Sequence, residues 1–275
     1  MVANPPLHPG LNARSDSTVI TPVLASSSRQ TAAPSSRPSL ELGHLYGNVT
    51  VRNFCNETKY LWSVGAWFLH GPRDGTTGWG SPEDEINHTI TAGQNYTEPF
   101  RITCPPAPNG TMDYCWDHDK LRGQGVSIKI SNNASNAQDI LQLKYALLMH
   151  PLRNNTFHRL EYDVSLLDCA DPNRQPGLFN MSSALARNIT DATATPADRN
   201  VKIEKCPGYQ NGLHVWFTRD SRAGKICEPI ECDGKTLCSQ IYNFDRMRKG
   251  QPSKTCKDLY RGEMVLDLCS GNAGS

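Results

Sequence analysis

Apolar and polar residues alternate with a period of two along much of the 275-residue chain. In the stretch 47–65, Val49 and Val51 alternate with Thr50 and Arg52. After a polar turn at Cys55, Tyr60, Trp62 and Val64 alternate with Leu61 and Ser63. This pattern predicts two half-buried strands joined as a hairpin. Segments 86–91 and 96–102 read as short strands around Ala92-Gly93. The cleanest strand is 125–131, with Val126, Ile128 and Ile130 on one face and Ser127, Lys129 and Ser131 on the other. Segments 140–147, 157–167, 213–218 and 263–269 repeat the alternation. Helical periodicity is confined to 181–187. Many short alternating strands between turns, with almost no helix, predict an all-β fold, a β-sandwich.

Two stretches lack this rhythm near the N-terminus. Residues 1–44 are rich in Pro, Ser, Ala and Thr and poor in large apolar side chains, so the expectation there is a disordered, low-complexity segment. Residues 66–85 form a glycine-rich loop carrying Trp67, Phe68 and Trp79. The folded domain is expected to span 45–272.

A net charge of +1, with charges spread along the chain, argues against nucleic acid or an anionic membrane as partner. No stretch is long and apolar enough for a transmembrane helix. The ten cysteines are an even number, which fits a disulfide framework. Cys55 and Cys269 each end an alternating run at opposite ends of the chain, so the first and last cysteines are expected to pair. Cys104 and Cys115 enclose a Pro- and Gly-containing loop and are expected to bond to each other. Nine N-x-Ser/Thr sequons, at Asn48, Asn56, Asn87, Asn95, Asn109, Asn133, Asn154, Asn180 and Asn188, mark candidate glycosylation sites. Cysteines and sequons together predict a secreted or cell-wall glycoprotein. The first residues lack the apolar segment of a secretory signal, so either the natural start differs from this one, which is the expectation, or export is unconventional.

Several pieces, in order, resemble the thaumatin-like proteins, and within them the fungal antigenic, yeast-phase-specific, osmotin-like branch. They are Val49-Thr50-Val51-Arg52-Asn53-Phe54-Cys55 with Leu61-Trp62-Ser63-Val64-Gly65, Thr97-Glu98-Pro99-Phe100-Arg101, the 125–131 strand, Tyr162-Asp163-Val164-Ser165-Leu166-Leu167-Asp168, Cys206-Pro207 and the run into Cys269. The resemblance spans roughly 47–269. It implies a β-sandwich with disulfide-tied loops, the Cys55–Cys269 bond, and a Cys206–Cys256 bond. Cys169, Cys227, Cys232 and Cys238 would then make local bonds of open connectivity. Loop inserts at 66–85, 104–124 and 170–200 depart from the family pattern.

The resemblance also implies an acidic cleft, two of whose aspartates match Asp163 and Asp168. Glu161 and Asp163 lie two apart on a strand and so share a face, about 7 Å apart. Paired carboxylates are what glycoside hydrolysis needs. The family's cleft glutamate, however, falls at Lys144, and its arginine near Ser131, or at Lys129 in a shifted register. The competing readings are a solvated strand face, or a polar cleft that binds without catalysis. Trp67 and Trp79 are candidates for stacking on sugar rings, against the plainer reading of a loop folded over the sandwich.

Asp113, Asp117, His118 and Asp119 are read as loop polarity, because adjacent residues diverge and no second ligand group follows. His214 lies beside Trp216 with no partner evident from sequence. No metal or cofactor is expected. The sequence thus predicts a non-catalytic extracellular binding protein, with β-1,3-glucan or a host protein as partner. Its alternatives are a weak endo-β-1,3-glucanase using Asp163 and Asp168, and a structural surface antigen.

Overall fold

The computed structural model describes residues 46–64, 87–101, 125–134, 139–149, 157–170, 189–218, 226–245, 252–258 and 260–274. The N-terminal segment 1–44, the loop bearing Trp67, Phe68 and Trp79, the Cys104–Cys115 loop with Asp113 to Asp119, the 181–187 helix and the sequons at Asn109, Asn154, Asn180 and Asn188 lie outside the described residues.

Among the described residues, eleven strands form two sheets. The first runs β4 (Asn95–Pro99), β1 (Gly47–Asn53), β11 (Gly262–Leu268), β8 (Leu213–Phe217), β9 (Ile230–Cys232). The second runs β10 (Lys254–Thr255), β7 (Phe157–Ser165), β6 (Leu141–Met149), β5 (Val126–Ser131), β2 (Lys59–Val64), β3 (His88–Ile90). Alternate residues from both sheets meet in one core. Val49, Val51, Val215, Met264 and Leu266 come from the first sheet, and Leu61, Ile128, Ile130, Leu143, Tyr145 and Val164 from the second. Burying each large aliphatic side chain contributes about 1.5–3 kcal/mol. The all-β sandwich read from the sequence is the architecture observed.

The hairpin at 47–65 is corrected. β1 and β2 lie in different sheets, and residues 54–58 cross between them. β1 pairs instead with β11 in parallel and with β4 antiparallel. On β2 it is Leu61 that is fully buried, while Tyr60 and Trp62 face outward. The larger aromatics of the alternation are therefore on the outer face, because Lys59, Leu61 and Ser63 take the inward positions of β2.

Beside Ser63, Arg101 and Glu98, each nearly inaccessible, form an ion pair at 3.3 Å. Ser63 Oγ donates to Glu98 Oε1 at 2.8 Å and accepts from Arg101. The Tyr96 hydroxyl donates to Glu98 Oε2 at 2.7 Å, and the Tyr145 hydroxyl accepts from the Arg101 backbone at 3.1 Å. A buried charge pair needs this density of hydrogen bonds to offset desolvation.

Four disulfides join described residues: Cys55–Cys269, Cys169–Cys206, Cys227–Cys256 and Cys232–Cys238. Cys55–Cys269 lies just past the paired ends of β1 and β11 and closes a separation of 214 residues. A crosslink of that span removes about 5 kcal/mol of unfolded-chain entropy in the chain-entropy argument.

The Cys206–Cys256 bond is not formed, and the reason is a helix the sequence reading missed. Helix α1 (Pro196–Lys205) is capped by Thr195, whose side chain bonds Asp198 N while Asp198 bonds back, and Pro196 opens it. Lys202 projects from α1 and donates to the carbonyls of Leu166 and Cys169 at 2.7 and 2.6 Å. This holds the end of α1 against the turn after β7, so its C-cap, Cys206, meets Cys169. Cys256 is held elsewhere: its N–H bonds Leu160 O at 2.9 Å, and Lys257 N bonds Ile226 O at 2.7 Å, which sets it against Cys227.

Candidate functional site

The outward face of the six-stranded sheet gathers the acidic residues singled out in the sequence. Because side chains alternate along a strand, β7 sends Leu160, Tyr162 and Val164 into the core and turns Glu161 and Asp163 outward. Strand register then sets their neighbours. Val64, Ser127, Lys144 and Asp163 form one row across β2, β5, β6 and β7. Trp62, Lys129, Gln142 and Ser165 form the next.

Asp163 is thus opposite Lys144, not opposite a second carboxylate. One of its oxygens accepts from Ser253 Oγ at 3.4 Å, and Ser253 shares a hydrogen bond with the Tyr242 hydroxyl at 3.1 Å. Tyr242 is fixed beside β7 by two backbone bonds, from its N–H to Val164 O and from Leu166 N–H to its own carbonyl. The Lys144 ammonium lies 6.0 Å from the Tyr242 ring centroid. The other Asp163 oxygen, Oδ1, is buried with no hydrogen-bond donor among the described residues. Burial pushes the Asp163 carboxyl above its ordinary range, opposed by Lys144 and Ser253.

Asp168, in the turn after β7, accepts from the Gln142 side-chain amide. Gln142 in turn accepts from Ser127 Oγ at 3.0 Å. The structure therefore connects Asp163 and Asp168 to one polar face, each through a different residue of β6. Glu161 shares that outward face, two residues from Asp163 and opposite Ala146 and Thr255. Ser131 and Lys129, the two positions where the family arginine falls, both lie on the outward side of β5, Ser131 fully buried.

Two residues of this face were missed from sequence. Trp62 was readable, since the alternation on β2 sets it opposite the fully buried Leu61. Tyr242 was not, because it sits in an irregular segment that reaches β7 through a single bridge to Ser165.

The five-stranded sheet has its own outer polar surface. Arg52 donates to both carboxylate oxygens of Asp267, at 2.6 and 2.7 Å, and its guanidinium lies 5.0 Å from the rings of Phe54 and Trp216. Trp216 Nε1 donates to Asp267 at 2.8 Å. His214 has partners after all: Glu231 at 3.6 Å and the Trp216 ring. Among the described residues no cluster of three His, Cys, Asp or Glu side chains is arranged to hold a metal. No helix among them is long and apolar enough to cross a membrane.

No family model matches the sequence, and no curated protein matches it. Among solved structures, the chain is similar to the protein elicitor MoHrip2 from Magnaporthe oryzae. That match has a TM-score of 0.40 and 16% identity over 81% of this chain and 98% of the other. It is also similar to the thaumatin-like xylanase inhibitor TLXI, with a TM-score of 0.32 and 9% identity over 80% and 98% of the two chains.

Proposed function

We propose that the protein is a non-catalytic, extracellular binding protein whose ligand is a hydroxyl-rich cell-wall polysaccharide such as β-1,3-glucan. The observation that carries this reading is the pairing on the outer face of the six-stranded sheet. Acid–base hydrolysis needs two carboxylates facing one bond, one of them protonated. Here Asp163 faces Lys144, and Asp168 is held by Gln142. Lys129, Lys144 and Ser127 instead present polar groups in rows beside Trp62, whose flat face suits the C–H face of a pyranose. Four disulfides fit an oxidising compartment, which is where such a ligand resides. Trp67 and Trp79 remain part of the proposed aromatic surface.

The test is a pull-down of the full chain on insoluble β-1,3-glucan, with reducing sugar assayed in the same supernatant. Protein in the pellet without released sugar is expected. Trp62→Ala should weaken retention roughly 10-fold, about 1.4 kcal/mol, in the range that an aromatic contact supplies. Trp67→Ala and Trp79→Ala test the glycine-rich loop in the same assay. Sugar release that disappears in Asp163→Asn would establish the glucanase alternative instead. Protein left wholly in the supernatant would remove glucan as the ligand.

A further inference from the structure

A cleft of about 430 Å³ opens at the end of the sandwich where β1, β5 and β11 terminate. It lies between the 55–59 crossover, the turn after β5 and the chain that follows α1. Its volume is that of a small-ligand site, yet its lining is polar. The Cys55–Cys269 disulfide and Lys59 line it, together with the amides of Asn132, Gln210, Asn211 and Asn272. Glu57, Asp139, Glu204 and Lys205 also line it. Amides, carboxylates and ammonium groups together offer donors and acceptors to hydroxyl and acetamido groups, while the three carboxylates disfavour an anionic ligand.

Lys59 is the second, independent feature. Its side chain is 1% exposed. An ammonium has three donors. One meets Asn132 Oδ1 at 2.6 Å and another meets Glu57 Oε2 at 3.3 Å, and the third has no acceptor among the described residues. Burial pulls the Lys59 ammonium below its ordinary pKa, the expected sign for a cation short of oxygen partners.

The rim of the same cleft carries Asn56, exposed and first in the sequon Asn56-Glu57-Thr58. The geometry points to a specific occupant: the cleft seats the core sugars of an N-linked glycan carried by Asn56 itself, with a sugar oxygen taking the third donor of Lys59. The attachment is ordinary chemistry. The Asn56 amide nitrogen bonds to the anomeric carbon of a lipid-diphosphate-linked oligosaccharide and loses one proton. The lipid diphosphate leaves with the electron pair of the broken C–O bond. The inference rests on the extracellular reading proposed above, and on nothing about glucan. Asn95 supplies an internal control, because it is exposed at the start of β4 and is not among the residues lining the cleft.

The experiment uses the full chain secreted from a eukaryotic host. Site-resolved mass spectrometry gives occupancy, and an endoglycosidase that cuts the glycan core gives release rates on native and denatured protein. Sugar at Asn56 should be released at least about 10-fold more slowly than sugar at Asn95 in the native protein, tenfold being 1.4 kcal/mol of retention. Denaturation should equalise the two rates. Lys59→Met should abolish the protection. Asn211→Gly is a second variant that removes a wall amide at a residue with φ of 62°, where glycine fits without strain, and it should reduce the protection. Equal native release at the two asparagines overturns the inference, as does sugar at Asn95 with none at Asn56, or protection unchanged in both variants. Sugar at no sequon overturns both this inference and the extracellular reading.

Discussion

Lys144 and Asp163 stand directly opposite each other across β6 and β7, both half-buried. The Asp163 pKa is raised by burial, so the folded protein binds a proton more tightly than the unfolded chain does. Between the ordinary aspartate range and the raised value, the native state holds more protons, and stability falls as pH rises through that window. The expected outcome is that wild type loses stability as pH rises above the ordinary aspartate range, whereas Asp163→Asn has a flatter profile. Urea unfolding from pH 4 to 7 checks this. A profile of the same slope in both proteins would mean that Lys144 fully compensates the burial.

The Arg101–Glu98 pair makes a different prediction, because here both partners are inside the sandwich. Arg101→Met leaves Glu98 among Ser63, Tyr96 and Tyr145 without its cation. Removing one member of a buried pair costs about 3–5 kcal/mol. The variant should unfold at markedly lower urea concentration, with an unchanged dependence on urea. The double variant Arg101→Met with Glu98→Leu should recover part of the loss, since it removes the uncompensated charge. Recovery absent in the double variant would locate the cost in the lost packing of the guanidinium stem instead.

Much of this architecture was legible in the alternation of residues. Val126, Ile128 and Ile130 are all buried, and Leu141, Leu143 and Tyr145 likewise, because period-two patterning follows directly from a sheet with one buried face. Partnership was less legible. Val49-Thr50-Val51 and Tyr60-Leu61-Trp62 lie close in sequence, which suggested a hairpin, but five residues of crossover suffice to send them into opposite sheets. The turn carries no Asn-Gly or Asp-Gly signal of a two-residue hairpin, and that absence was the available clue. Helix α1 was announced by Thr195-Pro196-Ala197-Asp198, a capping pattern followed by a weak apolar face of Val201 and Ile203. Missing it also lost the Cys169–Cys206 pair. The Asp163–Lys144 opposition depended on β6–β7 register, which two alternating strands leave free to slip by two residues.

Alkaline titration should separate the tyrosines by environment. Burial pushes the phenols of Tyr96, Tyr145 and Tyr162 far above their ordinary range, and those of Tyr209 and Tyr260 up to about 12. All five therefore stay protonated in the folded protein where they would ionise in the unfolded chain. The native state binds more protons, so stability falls as pH rises through 10. In ultraviolet difference spectra these five should ionise only in a cooperative step that coincides with loss of near-ultraviolet circular dichroism. Smooth ionisation of all nine tyrosines with the fold intact would contradict the burial described.

Lys202 gives the last prediction, and the one that bears on how the helix is tied to the sandwich. Its ammonium bonds two carbonyls in the turn after β7 and lies 4.9 Å from the Phe244 ring centroid. Lys202→Met keeps the length of the side chain but leaves the Leu166 and Cys169 carbonyls without that donor. The Leu166 carbonyl keeps the Cys169 N–H at 3.1 Å, so the main cost falls on the Cys169 carbonyl: about 1–3 kcal/mol for an unsatisfied buried acceptor, offset in part because the lysine no longer has to be desolvated. Lys205→Met, three residues on and exposed, should stay within about 0.5 kcal/mol of wild type. Because Lys202 also positions Cys206 beside Cys169, refolding the reduced Lys202→Met protein should raise the yield of mispaired cysteines. A non-reducing peptide map reads this directly: wild type should give Cys169 joined to Cys206 and Cys227 joined to Cys256. A map joining Cys206 to Cys256 in wild type would restore the pairing implied by the family resemblance. It would also show that α1 does not dock where Lys202 holds it.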